Sequence, residues 1–405
     1  MALKGVKSRL DNILEAFVAP PDITVAEDKL LAAGFVVVDR NDVLYSGAAG
    51  HLRFEPDSEK YTVDSISWAA SMTKLITAVC LLQLVERGLM GLDEDAGAYV
   101  PQLKEMQIVT DSSNEAGNPS MKENKSPITL RHLLTHTSGL SYVEVHPRLL
   151  KWAEAVGRPL DSNNRDLEYY VMPLVFAPGE SWAYGTGLDW AGQLLEKVTG
   201  QRLGAYMQEH IFGPLGMSST GFQPRDIPNF ETRSTAAGHR SPAPDQTLTP
   251  LVSFSRRLGE DDIESGGAGL FGSPADYAKF LQAVLQGRLL SPETTEAMFT
   301  PQLSEEPRAA LEKFFAALPL MMLPEFDAGV SIDHGLGGVV NTQDSPGKRH
   351  RGSMAWGGML NSRWWIDRDA GIAGVFFTSV LPTGDPVVKR VYNELEEAVY
   401  SELSQ

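Results

Sequence analysis

Ser67-Trp68-Ala69-Ala70-Ser71-Met72-Thr73-Lys74-Leu75-Ile76 is the stretch on which the reading of this chain turns. It carries a Ser-x-x-Lys pair, Ser71 and Lys74, and runs straight into Val79, Leu82 and Val85. That apolar spacing predicts a helix to about Arg87, stopped by Gly88, apolar on most faces and so buried. Residues three apart lie nearly one helical turn apart, which puts Ser71 and Lys74 on one face at the N-terminal end. A serine hydroxyl becomes a nucleophile once a neighbouring base takes its proton, and a neutral amine can do so. Burial and the positive end of a helix dipole both disfavour charge on such an amine. Free N–H groups of the same turn can face a developing oxyanion. Ser345-Pro346-Gly347-Lys348 repeats the spacing, but in a polar turn where positions i and i+3 share no helical face.

The whole chain sets limits on that chemistry. Its 405 residues suffice for one large core or two lobes, and its net charge of −17 opposes nucleic acid and anionic membranes as partners. The single cysteine, Cys80, excludes an internal disulfide and falls on the apolar helix, where packing is its expected role. The first residues lack a long apolar core of the secretory kind, and no run of about 18 apolar residues offers a membrane span. A soluble, cytoplasmic protein is the expectation.

Taken in order, residues 8–18 read as a helix and 34–45 as a hairpin. The polar stretch 110–127 reads as a surface loop. Residues 129–140 read as a short helix ending in a Gly139 turn. His132 and His136 are spaced for a shared metal, yet Leu133 stands where the zinc-protease pattern needs Glu. No metal is expected, and both histidines are read as satisfied by backbone groups. Gly179-Glu180-Ser181-Trp182-Ala183 resembles a nucleophile elbow only superficially, because Pro178 and Tyr184-Gly185 spoil its context, so Ser181 reads as a turn residue. Tyr184, in a Gly-flanked loop before a helix at about 188–199, is a candidate for proton relay. Glu264 to Ser273 is glycine-rich without a phosphate-loop ending; it suits close backbone approach beside a site, with Ser273 capping a helix at 274–286. Strands follow at 335–340, 352–356, 361–367 and 373–380, joined by short turns in the antiparallel manner, then a last helix at 385–402. The fold class expected is α/β (α+β), with an antiparallel sheet flanked by helices. Residues 1–75 and 265–405 would form a discontinuous sheet-bearing lobe and 76–264 a mostly helical one, the site lying in the cleft between them.

Five motifs occur in an order that resembles the serine β-lactamase-like superfamily. They are Ser71-Met72-Thr73-Lys74, the Leu133 to Leu140 turn, Tyr184, Gly266-Gly267-Ala268-Gly269 and Trp356-Gly357-Gly358. The chain is similar in outline to class C β-lactamases and D-alanyl-D-alanine peptidases, over roughly 30–400. It looks closer to family VIII carboxylesterases and the fungal lovastatin-type acyltransferases. The resemblance implies Ser71 as acylated nucleophile, Lys74 as its base and Tyr184 as the tyrosine that assists proton transfer. It implies an oxyanion hole from the N–H groups of Ser71 and Met359, the residue after the third motif.

Two departures bear on substrate. The Tyr-x-Asn of the lactamases is Tyr184-Gly185-Thr186 here, and the lysine of their Lys-Thr-Gly is Trp356, which replaces a carboxylate-binding cation with an apolar wall. Both changes favour neutral, hydrophobic esters or thioesters. Trp356, Gly357, Gly358, Tyr142 and Trp182 are candidate substrate-binding residues, with Trp364 a further aromatic near the third motif. The expected activity is acyl transfer from a small-molecule ester or thioester, with an acyl-carrier domain among the candidate donors, to an alcohol or water. No cofactor is expected. The alternatives are a β-lactamase or peptidase-type amide hydrolase and, outside enzymes, a catalytically silent binding protein.

Overall fold

The computed structural model describes residues 5–22, 24–113, 117–160, 166–251, 262–317, 326 and 329–403. The chain enters through helix α1 (Lys7–Phe17), then the apolar run Ala32–Asp39 forms strand β1 and the returning segment Val43–Gly50 forms β2. Five further strands come from the C-terminal part: β3 (Ile332–His334), β4 (Val339–Asn341), β5 (Met354–Gly357), β6 (Arg363–Asp367) and β7 (Ile372–Phe377). They make a seven-stranded sheet in the order β2-β1-β7-β6-β5-β4-β3, antiparallel throughout. Of the expected strand at 335–340 only Val339 and Val340 are strand, and residues 335–338 are the turn between β3 and β4. Gly335 donates its N–H to the Gly338 carbonyl at 2.8 Å, which reverses the chain between β3 and β4.

Between β2 and β3 lie helices α2 (Thr73–Glu86), α3 (Leu130–Leu134), α4 (Gly187–Thr199) and α5 (Pro274–Leu285), and the chain ends in α6 (Pro386–Leu403). Adjacent strand residues face opposite sides of a sheet, so Phe376 and Phe377 mark its two faces. Phe376 meets Tyr392 of α6 and Phe377 meets Tyr277 of α5, which means that the sheet is covered on both sides. Every residue of α2 from Thr73 to Leu84 is buried, as its all-round apolar sequence requires. Its end is set by Gly88 at φ +66°, a left-handed position that glycine fills without a Cβ clash. Ser273 caps α5 by accepting the Asp276 N–H, and Gly200 at φ +72° closes α4.

The loop expected over 110–127 is in part a hairpin. Ile108–Ser113 pairs with Pro119–Lys122, and the turn residues 114–116 lie outside the described residues. Its strands are mostly polar and exposed, so the alternation that marks a half-buried strand is missing there. Cys80 is buried in α2, and burial pushes its thiol well above its ordinary range, as a packing residue requires. No helix among the described residues is long and apolar enough to cross a membrane.

Arg349 and Glu396 form an ion pair with both side chains almost fully buried, Nε to Oε1 at 2.5 Å. Removing one partner strands the other charge away from water. Glu396→Ala is expected to lower stability by about 3–5 kcal/mol, read as a fall in the denaturation midpoint.

Candidate active site

The segment before α2 turns sharply. Ala70 takes φ +48°, left-handed without being glycine, at a cost of about 1 kcal/mol. Several bonds hold it there. The Ala70 carbonyl accepts the Thr73 hydroxyl (2.7 Å), Met72 donates its N–H to the Ala69 carbonyl (3.1 Å), and Tyr277 of α5 donates to the Met72 carbonyl (2.8 Å). Upstream, Ser67–Trp68 pairs antiparallel with Phe271–Gly272, which carries the glycine-rich stretch alongside. Ser71 therefore sits in a short 3-10 turn just ahead of α2, and Lys74 in the first turn of α2.

Three side chains meet at Ser71. Tyr184 donates its hydroxyl to Ser71 Oγ at 2.6 Å, and Lys74 Nζ lies 3.2 Å from the same oxygen. Lys74, 4 % exposed, also donates to the Tyr142 hydroxyl (3.1 Å) and the Gly267 carbonyl (2.8 Å). All three partners of the amine are neutral oxygens. Burial above all, with the Asp189 carboxylate adding to it, pushes the Tyr142 phenol well above its ordinary value, so this hydroxyl keeps its proton.

Backbone contacts aim the two tyrosines. The Tyr184 carbonyl accepts the Tyr142 N–H (3.4 Å) and the Ser141 hydroxyl (3.1 Å), and Ala183 donates its N–H to the His136 carbonyl (3.0 Å). Gly185 is pressed on the chain at Leu140 and Ser141: a Cβ there would lie 2.3 Å from the Leu140 carbonyl oxygen. Gly358, just past β5, faces the nucleophile turn in the same way, a Cβ there coming 2.6 Å from the Ala69 carbonyl oxygen. The Gly358 N–H is engaged by the Ser362 carbonyl (2.8 Å). Met359 follows, 43 % exposed, its carbonyl taking the Thr383 hydroxyl at 2.7 Å. Gly357 ends β5 opposite Arg363. The third motif thus lies on an interior strand, with β4 and β3 beyond it.

Trp356 and Trp182 are both buried, in a cluster around His136. The His136 ring lies 5.0 Å from Tyr184, 5.5 Å from His334, 5.8 Å from Trp182 and 6.2 Å from Trp356, centroid to centroid. Behind the Lys74 amine these rings leave a cavity of only about 10 Å³, lined by Lys74, His136, His334 and Trp356, the volume of one water-sized probe. Trp364 is fully buried on β6, paired with Trp356 across the strands. Thr186, at the position of the lactamase asparagine, is buried, and its hydroxyl has no hydrogen-bond partner among the described residues.

The expectation of two backbone-satisfied histidines holds for His132 only. His132 Nδ1 accepts the Thr129 N–H in a capping box. His136 Nδ1 is buried without a partner, and no group of metal-ligating side chains occurs among the described residues. Burial lowers the His136 pKa well below its ordinary value and that of His334 to about 4. A depressed histidine stabilises the fold above its unfolded pKa and loses that contribution as pH falls toward the folded value. For His334 the window runs from about 6.5 down to about 4 and is worth roughly 3 kcal/mol. The melting temperature should fall between pH 6.5 and 4, and His334→Gln should flatten that slope.

Reading along the chain missed the Gly267 carbonyl, the amine contact of Tyr142 and the role of His334, since only tertiary folding brings them to Lys74. The glycines at 266–267 were the one available signal.

The Beta-lactamase family profile matches residues 10–398. The chain is 36 % identical over 360 residues to monacolin J acid methylbutanoyltransferase of Aspergillus terreus, spanning 85 % of this chain and 84 % of that one. It is 32 % identical to lovastatin esterase of Penicillium rubens, over 86 % of this chain and 88 % of the other. Among solved structures, unliganded simvastatin synthase (LovD) from Aspergillus terreus superposes with a TM-score of 0.85 at 30 % identity, covering 100 % of this chain and 98 % of that one.

Proposed function

Because the chain belongs to the β-lactamase family, within which it is a serine esterase or acyltransferase, we propose that it transfers acyl groups through an ester on Ser71. The observation that carries this reading is the Ser71 oxygen held at 2.6 Å from Tyr184 and 3.2 Å from Lys74. With Tyr142 kept protonated, Tyr184 and Lys74 are the pair that receives a proton, and the two act as one coupled unit.

Each step balances. Ser71 Oγ attacks the donor carbonyl while its proton passes to the Tyr184–Lys74 pair. The tetrahedral oxyanion is met by the N–H groups of Ser71 and Met359. This assignment is supported by the close approach of Gly358 to the nucleophile turn. The intermediate expels an alcohol or thiol, which leaves with the proton from the pair. An acceptor hydroxyl then gives its proton to the pair and attacks the acyl carbon. Ser71 departs and recovers that proton.

Substrate class follows from what surrounds the site. Trp356 takes the place of the lactamase cation, and Trp182 and Trp356 pack against Tyr184, which makes this wall of the site aromatic. The cavity behind Lys74 is too small for a substrate, so donor and acceptor approach from the side of Tyr142, Gly357, Gly358 and Met359. We assign a hydrophobic ester or thioester as donor, an acyl-carrier thioester included, and a bulky alcohol in preference to water as acceptor. The relatives named for methylbutanoyl transfer to monacolin J acid and for lovastatin cleavage support that class. The site lies, on this reading, between the sheet-bearing residues 1–75 and 265–405 and the mostly helical 76–264.

The test is turnover of a short-chain p-nitrophenyl ester with and without monacolin J acid as acceptor, products identified by mass spectrometry. A new ester establishes acyl transfer. Free acid alone makes the protein an esterase toward that acceptor, and no turnover of any ester refutes the reading.

A further inference from the structure

Behind one of the three oxygens that hold Lys74 stands a carboxylate. Asp189, in the first turn of α4 and 2 % exposed, accepts the Ser265 hydroxyl at 2.5 Å and the Gly267 N–H at 3.2 Å through one oxygen, Oδ1. The carbonyl of that same Gly267 receives the Lys74 amine. The other carboxylate oxygen lies against Gly267 so closely that a Cβ would come within 2.4 Å of it. Next to it, the Gly266 carbonyl takes the Thr77 hydroxyl from α2 (2.8 Å), and a Cβ on Gly266 would meet the Leu188 carbonyl oxygen at 2.4 Å. The turn is clamped between α2 and α4 at consecutive residues. Among the described residues no cation pairs directly with Asp189, and no carboxylate pairs directly with Lys74.

We propose that Asp189 is a positioning residue for acyl transfer: through Ser265 and Gly267 it sets the carbonyl that holds Lys74, and its charge stabilises the ammonium at each proton uptake. The inference rests on the acyl-enzyme reading above and goes beyond it by naming the counter-charge. A buried ammonium flanked by neutral oxygens needs such a charge nearby. The groups facing Lys74 are Ser71, Tyr142, Tyr184 and the Gly267 carbonyl, with His136 and His334 beyond them. Burial keeps both histidines neutral. On the far side of Ser265, Glu264 turns to the Gly204 N–H and Arg202 instead. Asp189 does reach this cluster, since its charge, after burial, helps raise the Tyr142 phenol.

Asp189→Asn keeps the shape and removes the charge. Its kcat on a p-nitrophenyl ester should fall about 10- to 100-fold with KM changed by less than about twofold. The acid limb of its kcat–pH profile should move to lower pH, because an ammonium without its counter-charge gives up its proton more readily. A limb that stays in place, whatever the loss in kcat, would overturn the proposal, since a purely structural residue would leave it unmoved. Ser265→Ala keeps the charge and loosens the turn, so kcat should drop with the limb unmoved. Should Asp189→Asn not fold, wild-type kcat in Ser265→Ala would overturn the proposal. A serine-directed phosphonate separates the two readings. Wild type that takes up none refutes the acyl-enzyme itself, whereas stoichiometric uptake beside an unshifted Asp189→Asn profile refutes only the role of Asp189.

Discussion

Ser71→Ala should leave a folded protein whose ester turnover is lower by about 10⁴-fold or more. The loss is large because the substitution removes the oxygen to be acylated, and Cys80 does not replace it, being buried in α2 with its thiol held protonated. The fold should survive, because Lys74 keeps its bonds to Tyr142 and Gly267 and the Ala70 turn is held by backbone and by Thr73 and Tyr277. Initial rates give the loss, and intact-protein mass after brief exposure to ester gives its cause. Wild type should gain the mass of one acyl group and Ser71→Ala none. Unchanged turnover in the variant would put the nucleophile elsewhere.

The second large effect is that of Tyr184→Phe, expected to cost about 10³-fold in kcat. Phenylalanine keeps the ring on its neighbours His136, Trp182 and Trp356 and removes only the hydroxyl at 2.6 Å from Ser71. Lys74→Ala should be comparably severe. The double variant should be little worse than the poorer single one, because groups that move one proton together do not contribute additively. Additive losses would mean that the two work separately. Tyr142→Phe provides the contrast. Its phenol stays protonated and serves as one of three acceptors for Lys74, so its removal should cost far less than that of Tyr184.

Much of this was legible wherever the information is local. The Ser71/Lys74 spacing, the apolar run of α2 and Gly88 at its end are properties of neighbouring residues, and the structure has them as read. The paired strands β5, β6 and β7 were equally plain, because apolar runs alternate there with short polar turns. Tyr184 rested on resemblance, since nothing in its own loop tells a relay tyrosine from a packed one. The unread parts depend on distance along the chain. Asp189 sits in an amphipathic helix where a carboxylate usually faces water, and only the docking of 265–269 turns it into a buried acceptor. His136 looked like a turn histidine until Trp356 and His334 closed over it. The hairpin at 108–122 carries too few apolar residues for its strands to announce themselves.

The sheet joins the two ends of the chain, and that has a bearing on how the protein is made. Strand β1 has β7 as its inner neighbour, and the Thr378 hydroxyl bonds the Ala32 carbonyl across 346 residues of sequence. During synthesis the segment holding Ser71 and Lys74 emerges early, but the surface on which α5 settles cannot close until residues 372–377 have appeared. Contacts of such long range make slow folders, and the unpaired edge of β1 meanwhile offers a template to other chains. Production yield should therefore depend on temperature and expression rate more steeply than the stability of the finished enzyme would suggest.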